Sequence, residues 1–414
     1  MAKKKKLLAG IDVGTTKICS TVARIENDTI KILGTGWAPS AGLKKGIVVN
    51  LSETIESIKA SLQEAEKQSQ TVVESAYVSV GGAYIRGLNS KGKTDVRGKN
   101  KEITGDDVGR AVADAASLEL SKDYQVIHVL TQNFKVDGQN GVVNPLGMNG
   151  RHLSVHLHLV LNASAVVQNI VNAINKAGVL VNGVAIQQLA SAEAVLSSDE
   201  KELGTVLVDI GGGTSDIGIY GQGSIWHSEV LPMGGNLITK DIAIGLKAPL
   251  REAEELKQKT GSVFPESVPD EELIEVSEVG SGRRRTMSRR LLCQIVQARC
   301  DEILSAVAQI TCKVGVQRQL VTGVVMTGGG SLLDGVTDRA EQILEMPARV
   351  GYPVNVVSHD HPAFHPAYST ALGLLKYARD IRSQVVSASP ETTPGARPRG
   401  TGERMKSWLS EKIG

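Results

Sequence analysis

Residues 205–219 read TVLVDIGGGTSDIGI, and they limit what this chain can fold into more tightly than any other stretch. An aliphatic run, Val206-Leu207-Val208, delivers Asp209. Gly211, Gly212, Gly213 and Thr214 follow, and then a second alternating run, Asp216-Ile217-Gly218-Ile219. The pattern predicts two strands joined by a turn almost without side chains. Consecutive glycines let a ligand approach the backbone closely, and successive N–H groups in such a turn form a nest that favours anionic oxygens, phosphate above all. Asp209 stands just before that nest, where a bare carboxylate would repel phosphate. A divalent cation held by Asp209, directly or through water, removes the conflict. A glycine-rich hairpin without any ligand would carry the same letters, so this motif alone leaves both readings open.

The start of the chain repeats the plan. Residues 7–16, LLAGIDVGTT, give an apolar strand, then Asp12, Gly14 and the hydroxyls of Thr15 and Thr16, with Lys17 placed to add a cation beside phosphates. A third stretch, 323–334 (GVVMTGGGSLLD), is an apolar strand ending in Gly328, Gly329 and Gly330, with Ser331 as a candidate helix N-cap.

These three stretches, in this order and at these wide spacings, resemble the actin-like ATPase superfamily, and within it the FtsA family of bacterial division proteins. PMGGNLITKDIA at 232–243, AEELK at 253–257 and a Pro-rich tail ending in an amphipathic segment extend the resemblance to nearly the whole chain. It implies an α/β, actin-like (ribonuclease H-like) two-lobed ATPase fold with an FtsA-type inserted subdomain and a C-terminal amphipathic helix. Lobe one would comprise residues 1–82, 163–190 and 359–382, with the insert at 83–162. Lobe two would comprise 191–236 and 301–358, with its own subdomain at 237–300. A linker at 383–401 and a membrane-targeting helix at 402–414 would close the chain.

The resemblance also implies a site. ATP and Mg²⁺ would lie between the hairpins, with Asp12 and Asp209 holding the metal through water. Gly235 and Asn236 would flank the nucleotide, Glu254 and Lys257 would reach the ribose and base, and the third glycine turn would close on the adenosine. In the superfamily the segment after residue 186 positions the attacking water, often with a Glu before a Pro; aligning its run of small residues puts Gln188 there, beside Gln187. An amide orients water but is a poor base, so slow turnover is expected. The implied function is an ATP-binding division protein that polymerises on the cytoplasmic face of the inner membrane at the septum, anchors FtsZ through its C-terminal tail and recruits later division proteins through the insert. The alternative is a soluble phosphotransferase of the sugar-kinase branch, which needs an acidic base that residues 187–188 do not supply.

Composition agrees with several lobes, since 414 residues exceed one small core. A net charge of +2 and 3% aromatic residues give neither the electrostatic footprint nor the stacking platforms of a nucleic-acid binder. Cys19, Cys293, Cys300 and Cys312 form no C-x-x-C pair and read as small core residues of a reducing cytosol. The basic residues 1–6 precede an apolar run that Asp12 interrupts, too short for a signal peptide or a membrane span.

Along the chain, strands are predicted at 29–36, 75–80, 125–136, 153–161, 181–186 and 274–279. Helices are predicted at 51–65 (N-cap Ser52), 105–120, 165–177, 237–245, 253–261, 289–314 and 368–377. His152, His156 and His158 share one strand face by even spacing; this permits metal ligation but fits equally the polar face of a half-buried strand. Arg283, Arg284, Arg285, Arg289 and Arg290 crowd eight residues, a solvated charge run or a surface for an acidic peptide. The resemblance favours the second, with the FtsZ tail as the peptide. At 402–414, Met405, Trp408, Leu409 and Ile413 share one helical face, flanked by Arg404 and Lys406, which predicts a short helix that folds on anionic lipid.

Overall fold

The computed structural model describes residues 7–26, 29–357 and 365–387, with side chains as far as residue 381. Leu7–Val13, Lys17–Glu26 and Thr29–Pro39 form an antiparallel meander, and Leu7–Val13 is flanked on its other side by Ser75–Val80 and then Leu180–Ile186, both parallel. The second sheet repeats this plan. Thr205–Ile210, Ser215–Gly221 and Ser224–Leu231 make the meander, and Val324–Thr327 and Ala348–Val350 add the parallel strands. Val356–Val357 adds a parallel edge to the first sheet.

The sequence accounts for this arrangement. Parallel strands need crossovers, which Leu51–Ser69 and Ser164–Lys176 supply in the first lobe and Arg289–Val314 and Val336–Leu344 in the second. A strand covered on both faces carries a continuous apolar run rather than an alternating one. Leu7–Val13 is buried beyond Leu7, and Thr205–Ile210 is buried throughout. Each lobe has its own core, around Ile11, Ile58 and Ile174 in the first and Val208, Ile242 and Leu304 in the second.

Between Ser75–Val80 and Ser164–Lys176 the chain leaves lobe one to build a separate four-stranded sheet, in the order Arg86–Asp95, His152–Ala163, Tyr124–Val136, Gln139–Val142. Its helix, Gly105–Ala116, lays Val108, Ala111 and Val112 against Leu153, Val155 and Leu157. This sheet reaches across to the edge strand of lobe two. Asn89 Nδ2 donates to Trp226 O (3.0 Å), Gln132 Nε2 donates to Ile225 O (3.0 Å), and His158 Nε2 meets Ser228 Oγ (2.8 Å).

Some local expectations are corrected. Helix Leu51–Ser69 is capped by Asn50, whose side chain accepts from Glu53 N, and Ser52 lies inside the helix. The insert's helix ends at Ala116, earlier than the predicted 120. The last helix, Ser369–Ser387, runs into the stretch assigned to the linker; residues 388–414, with the rest of that linker and the amphipathic segment, lie outside the described residues. The histidine face is not uniform. His152 is exposed and pairs with Asp95 (2.9 Å), whereas His158 is buried between Asn89 Oδ1 (2.7 Å) and Ser228 Oγ, and burial, then His227, pushes it down to about 4. Among the described residues, no group of three or more His, Cys, Asp or Glu is arranged to hold a metal.

The insert's helix start makes a pH-dependent contribution to stability. Burial pushes the Asp107 carboxyl up, but bonds from Arg97 N, the Thr104 hydroxyl and N–H, and the Arg110 guanidinium outweigh it and hold it at about 2. A carboxyl depressed in the folded state stabilises fully above its unfolded value, roughly 4, and loses that contribution as pH falls through about 2. Asp107→Asn is expected to cost the insert about 2 kcal/mol at pH 7, measured by amide exchange in residues 104–116, with the gap narrowing toward pH 3. An equal exchange rate at pH 7 would remove this role.

Candidate functional site

The turns of both hairpins and the third glycine turn meet in one cleft of about 580 Å³ between the lobes. The two hairpins close alike, with Gly14 N donating to Lys17 O (3.1 Å) and Gly211 N to Thr214 O (2.9 Å). They approach each other so closely that Cβ atoms at Gly212 and Gly213 would fall 1.7 Å from Thr16 Oγ1 and 2.7 Å from Thr15 Oγ1. Thr15 Oγ1 accepts from Gly46 N (3.0 Å) and Thr16 Oγ1 donates to Asn236 Oδ1 (3.4 Å). The N-terminus of helix Gly235–Gly245 is pinned behind the second turn, since Gly235 N and Asn236 N donate to Gly211 O and Gly212 O. A helix N-terminus added to a backbone nest increases its attraction for anions.

One wall comes from helix Leu250–Thr260. Lys257 Nζ bonds Glu254 Oε2 (2.7 Å), Thr239 Oγ1 (2.9 Å) and Gly235 O (3.2 Å), so the expected pair forms and both residues line the cleft. Burial pushes the Glu254 carboxyl up, yet the bonds from Lys257 and Thr239 bring it below its ordinary value. The opposite wall is the third turn, where Gly328 adopts φ +79° and Gly329 and Gly330 line the cleft with it. Ser331 is buried beneath, its hydroxyl donating to Gly328 O (2.8 Å), and does not cap; Gly335 is the residue before helix Val336–Leu344.

Three carboxyl groups are buried at this cleft. Asp12 accepts from Ser79 Oγ (2.7 Å) and Gln187 Nε2 (3.3 Å), Asp209 from Thr370 Oγ1 (3.2 Å) and Asp216 from Thr214 Oγ1 (3.1 Å). Asp209 faces Asp216 directly across the hairpin ladder, and Asp216 Oδ1 is buried without a partner. Burial raises all three, and repulsion adds to it at two of them: burial, then Asp12, pushes Asp209 up to about 6, and burial, then Asp209, pushes Asp216 well above its ordinary range. Lys17 offsets this only in part. Burial lowers it, and its Nζ lies 3.9 Å over the Tyr368 ring and donates to Ala367 O, so it lines the cleft held against its wall. A cation bound there would relieve this repulsion. Without three direct protein ligands among the described residues, Asp12 and Asp209 would suit a hydrated Mg²⁺ rather than one held by the protein alone.

The glutamine expected at the phosphate end is the neighbouring one. Gln187 lines the cleft and bonds Asp12, whereas Gln188 is wholly buried, with both side-chain polar atoms unpartnered. The Gln187–Val195 helix starts at this residue, so a one-residue shift in alignment turns the side chain away from the cleft.

The arginine cluster does not form one surface. Arg284–Ser288 pairs with Leu273–Ser277 as a hairpin, and a strand sends successive side chains to opposite faces. Arg283 and Arg284 are exposed, with Arg284 bonded to Glu275 (2.7 Å); Arg285 turns inward to Leu246 O. Arg289 opens the long helix, donates to Thr260 O (2.9 Å) and Glu272 (2.8 Å), and lines the cleft. Sequence reasoning missed this position, and it missed Asp216 and Thr370. The hairpin register alone would have set Asp216 opposite Asp209; nothing local marks Thr370.

Two duplicated lobes closing on a cleft through paired hairpins define the actin-like fold, and solved structures agree. The PilM-PilN type IV pilus biogenesis complex matches at a TM-score of 0.64 over 89% of this chain and 98% of that one, at 14% identity. MreB5 of Spiroplasma citri bound to ADP matches at 0.54 over 92% and 98%, at 13% identity. Family models match at residues 206–373, as cell division protein FtsA, and at residues 82–161, as the SHS2 domain inserted in FtsA. The cell division protein FtsA of Pseudomonas aeruginosa is 37% identical over 98% of this chain and 97% of its own length. Those of Neisseria meningitidis and Escherichia coli K12 are 35% and 32% identical over the full chain. The chain belongs to the FtsA family of cell division proteins.

Proposed function

We propose that this division protein binds ATP with Mg²⁺ in the cleft, assembles into filaments with copies of itself on the cytoplasmic face of the membrane, and ties FtsZ to that surface. The observation that carries the reading is the meeting of two glycine turns, whose N–H groups suit phosphates, with buried carboxyl groups whose charge a cation would offset. A bound Mg²⁺ would neutralise phosphate and carboxylate charge together, with Asp12 and Asp209 holding its waters. Nucleotide is further supported by the fold relative from Spiroplasma citri, solved with ADP and with AMPPNP. Gln187 would orient water without abstracting its proton, so turnover is slow. Arg283 and Arg284 are the exposed members of the cluster, Arg284 already paired with Glu275, and they would be the ones to meet an acidic FtsZ tail.

Attachment rests on residues 402–414. Among the described residues no helix is long and apolar enough to cross a membrane. An interfacial segment anchored by Met405, Trp408, Leu409 and Ile413 would bind weakly as a monomer and firmly in a filament, where many copies act together. The test is sedimentation with anionic vesicles in ATP–Mg²⁺, paired with calorimetry of ATP binding. Trp408→Glu is expected to stay in the supernatant while keeping wild-type ATP affinity. Wild-type sedimentation by that variant would show that the tail is not the anchor.

A further inference from the structure

A buried histidine joins the inserted sheet to the phosphate end of the cleft. His128 lies on Tyr124–Val136, a strand of the insert, yet its ring enters lobe one. Its Nε2 accepts from the backbone N–H of Ile186 (3.2 Å), and its Nδ1 meets the Tyr377 hydroxyl (3.3 Å). Accepting at Nε2 fixes the neutral tautomer with the proton on Nδ1, so Nδ1–H donates to the Tyr377 oxygen. Tyr377 stacks edge-on against both His128 (5.8 Å) and Tyr77 (6.4 Å), which locks the ring from two sides.

Ile186 is both the last residue of the strand Leu180–Ile186 and the N-cap of helix Gln187–Val195, where no side chain of the helix itself supplies a cap. Gln187 follows at once, bonded to Asp12 and packed so tightly over Gly81 that a Cβ there would sit 2.2 Å from its Oε1. The path therefore runs from an insert strand, through one imidazole and one peptide N–H, to the amide that touches Asp12.

We propose that His128 is a positioning residue for Gln187, and that through it the inserted sheet and the phosphate end of the cleft set each other's geometry. The proposal rests on the reading of the cleft as an ATP site and adds a route by which whatever engages the insert reaches that site. Because the contact is mutual, nucleotide bound beside Gln187 is expected also to act on the insert.

The test uses the full chain with ATP–Mg²⁺ and compares wild type, His128→Phe, His128→Gln, Gln187→Ala and the double variant His128→Phe/Gln187→Ala. His128→Phe keeps the ring volume but offers no acceptor to Ile186 N–H. It is expected to lower phosphate release by up to ~100-fold with ATP affinity unchanged, the scale on which a small misplacement of a reacting group acts. His128→Gln, whose amide oxygen can accept that N–H, is expected to recover most of the rate. Gln187→Ala is expected to add nothing on top of His128→Phe. Multiplying effects, or an unaffected His128→Phe, would overturn the proposal.

Hydrogen exchange supplies a readout independent of turnover and serves where the wild-type rate falls below detection. ATP is expected to slow exchange in residues 124–136 of the wild type but not of His128→Phe, while protecting residues 209–216 in both. Protection of 209–216 without any change in 124–136 of the wild type overturns the coupling alone. Absence of protection at 209–216 in the wild type overturns the ATP reading, and the proposal with it. Should His128→Phe fold poorly, Tyr377→Phe keeps both rings, removes the oxygen that Nδ1–H donates to and so loosens the imidazole, and is expected to shift both readouts in the same direction by less.

Discussion

Gly212→Val is expected to lower the affinity for ATP by ~100-fold or more, about 2.7 kcal/mol. The added Cβ would lie 1.7 Å from Thr16 Oγ1 and 3.1 Å from Asn236 Oδ1. Rotating the threonine hydroxyl away removes the worst contact of an alanine and leaves Thr16 Cβ at 3.0 Å to give slightly, so Gly212→Ala is expected to bind with a milder loss. Valine brings two more methyl groups into the gap between the hairpin turns and drives the turns apart, and the nest then loses its opposing wall. Asn236 shifts with it, because the N–H groups of Gly235 and Asn236 are bonded to the carbonyls of Gly211 and Gly212. Calorimetry on both variants decides the matter. Valine binding as tightly as wild type would mean that the turn does not contact the ligand.

Gly373→Ala unfolds the protein at a lower temperature than wild type, against what helix propensity alone dictates. Position 373 lies inside helix Ser369–Ser387, where alanine normally gains ~1 kcal/mol over glycine. Here the new Cβ would sit 1.7 Å from Ala190 O and 2.4 Å from its carbonyl carbon, and backbone cannot rotate aside as a side chain can. Separating the last helix from Gln187–Val195 is expected to cost ~3 kcal/mol, the upper part of the range for overpacked cores, and so exceeds the propensity gain. The same displacement pulls Thr370 from Asp209, so ATP affinity falls as well. A melting midpoint at or above wild type would show that the helices separate at little cost.

Much of this protein was legible as letters. The hairpins at Asp12 and Asp209 and the turn at 328–330 were found because the same plan, an apolar strand running into a glycine turn, recurs three times along the chain. Strand Ser75–Val80 falls where its β-branched and aromatic residues predict it. What stayed hidden depends on partners far along the chain. Ser52 looked like a cap, but Asn50, two residues earlier, has the geometry to accept from Glu53 N. Gln188 and Gln187 are the same letter, and only the strand-to-helix junction at Ile186 decides which faces Asp12. Five arginines within eight residues read as one charge run, yet the hairpin register and the start of the next helix send Arg284 to Glu275, Arg285 to Leu246 O, Arg289 to the cleft wall and Arg290 to Val268 O, leaving Arg283 exposed. His128 carries no local signal at all, since its partners Ile186 and Tyr377 lie 58 and 249 residues away.

The bonds from Asn89, Gln132 and His158 to the edge strand Ser224–Leu231 join the lobes on the outside, away from the cleft. They make the insert a strap from lobe one to the edge strand of lobe two. If the lobes part to release a bound molecule, the strap must stretch first, and the wait before departure would then depend on how often the strap lets go. Loosening it at Gln132 would be expected to quicken arrival and departure together and leave the balance between them where it was. Dwell time and affinity would then be separate properties of the same cleft, tuned by residues outside its lining.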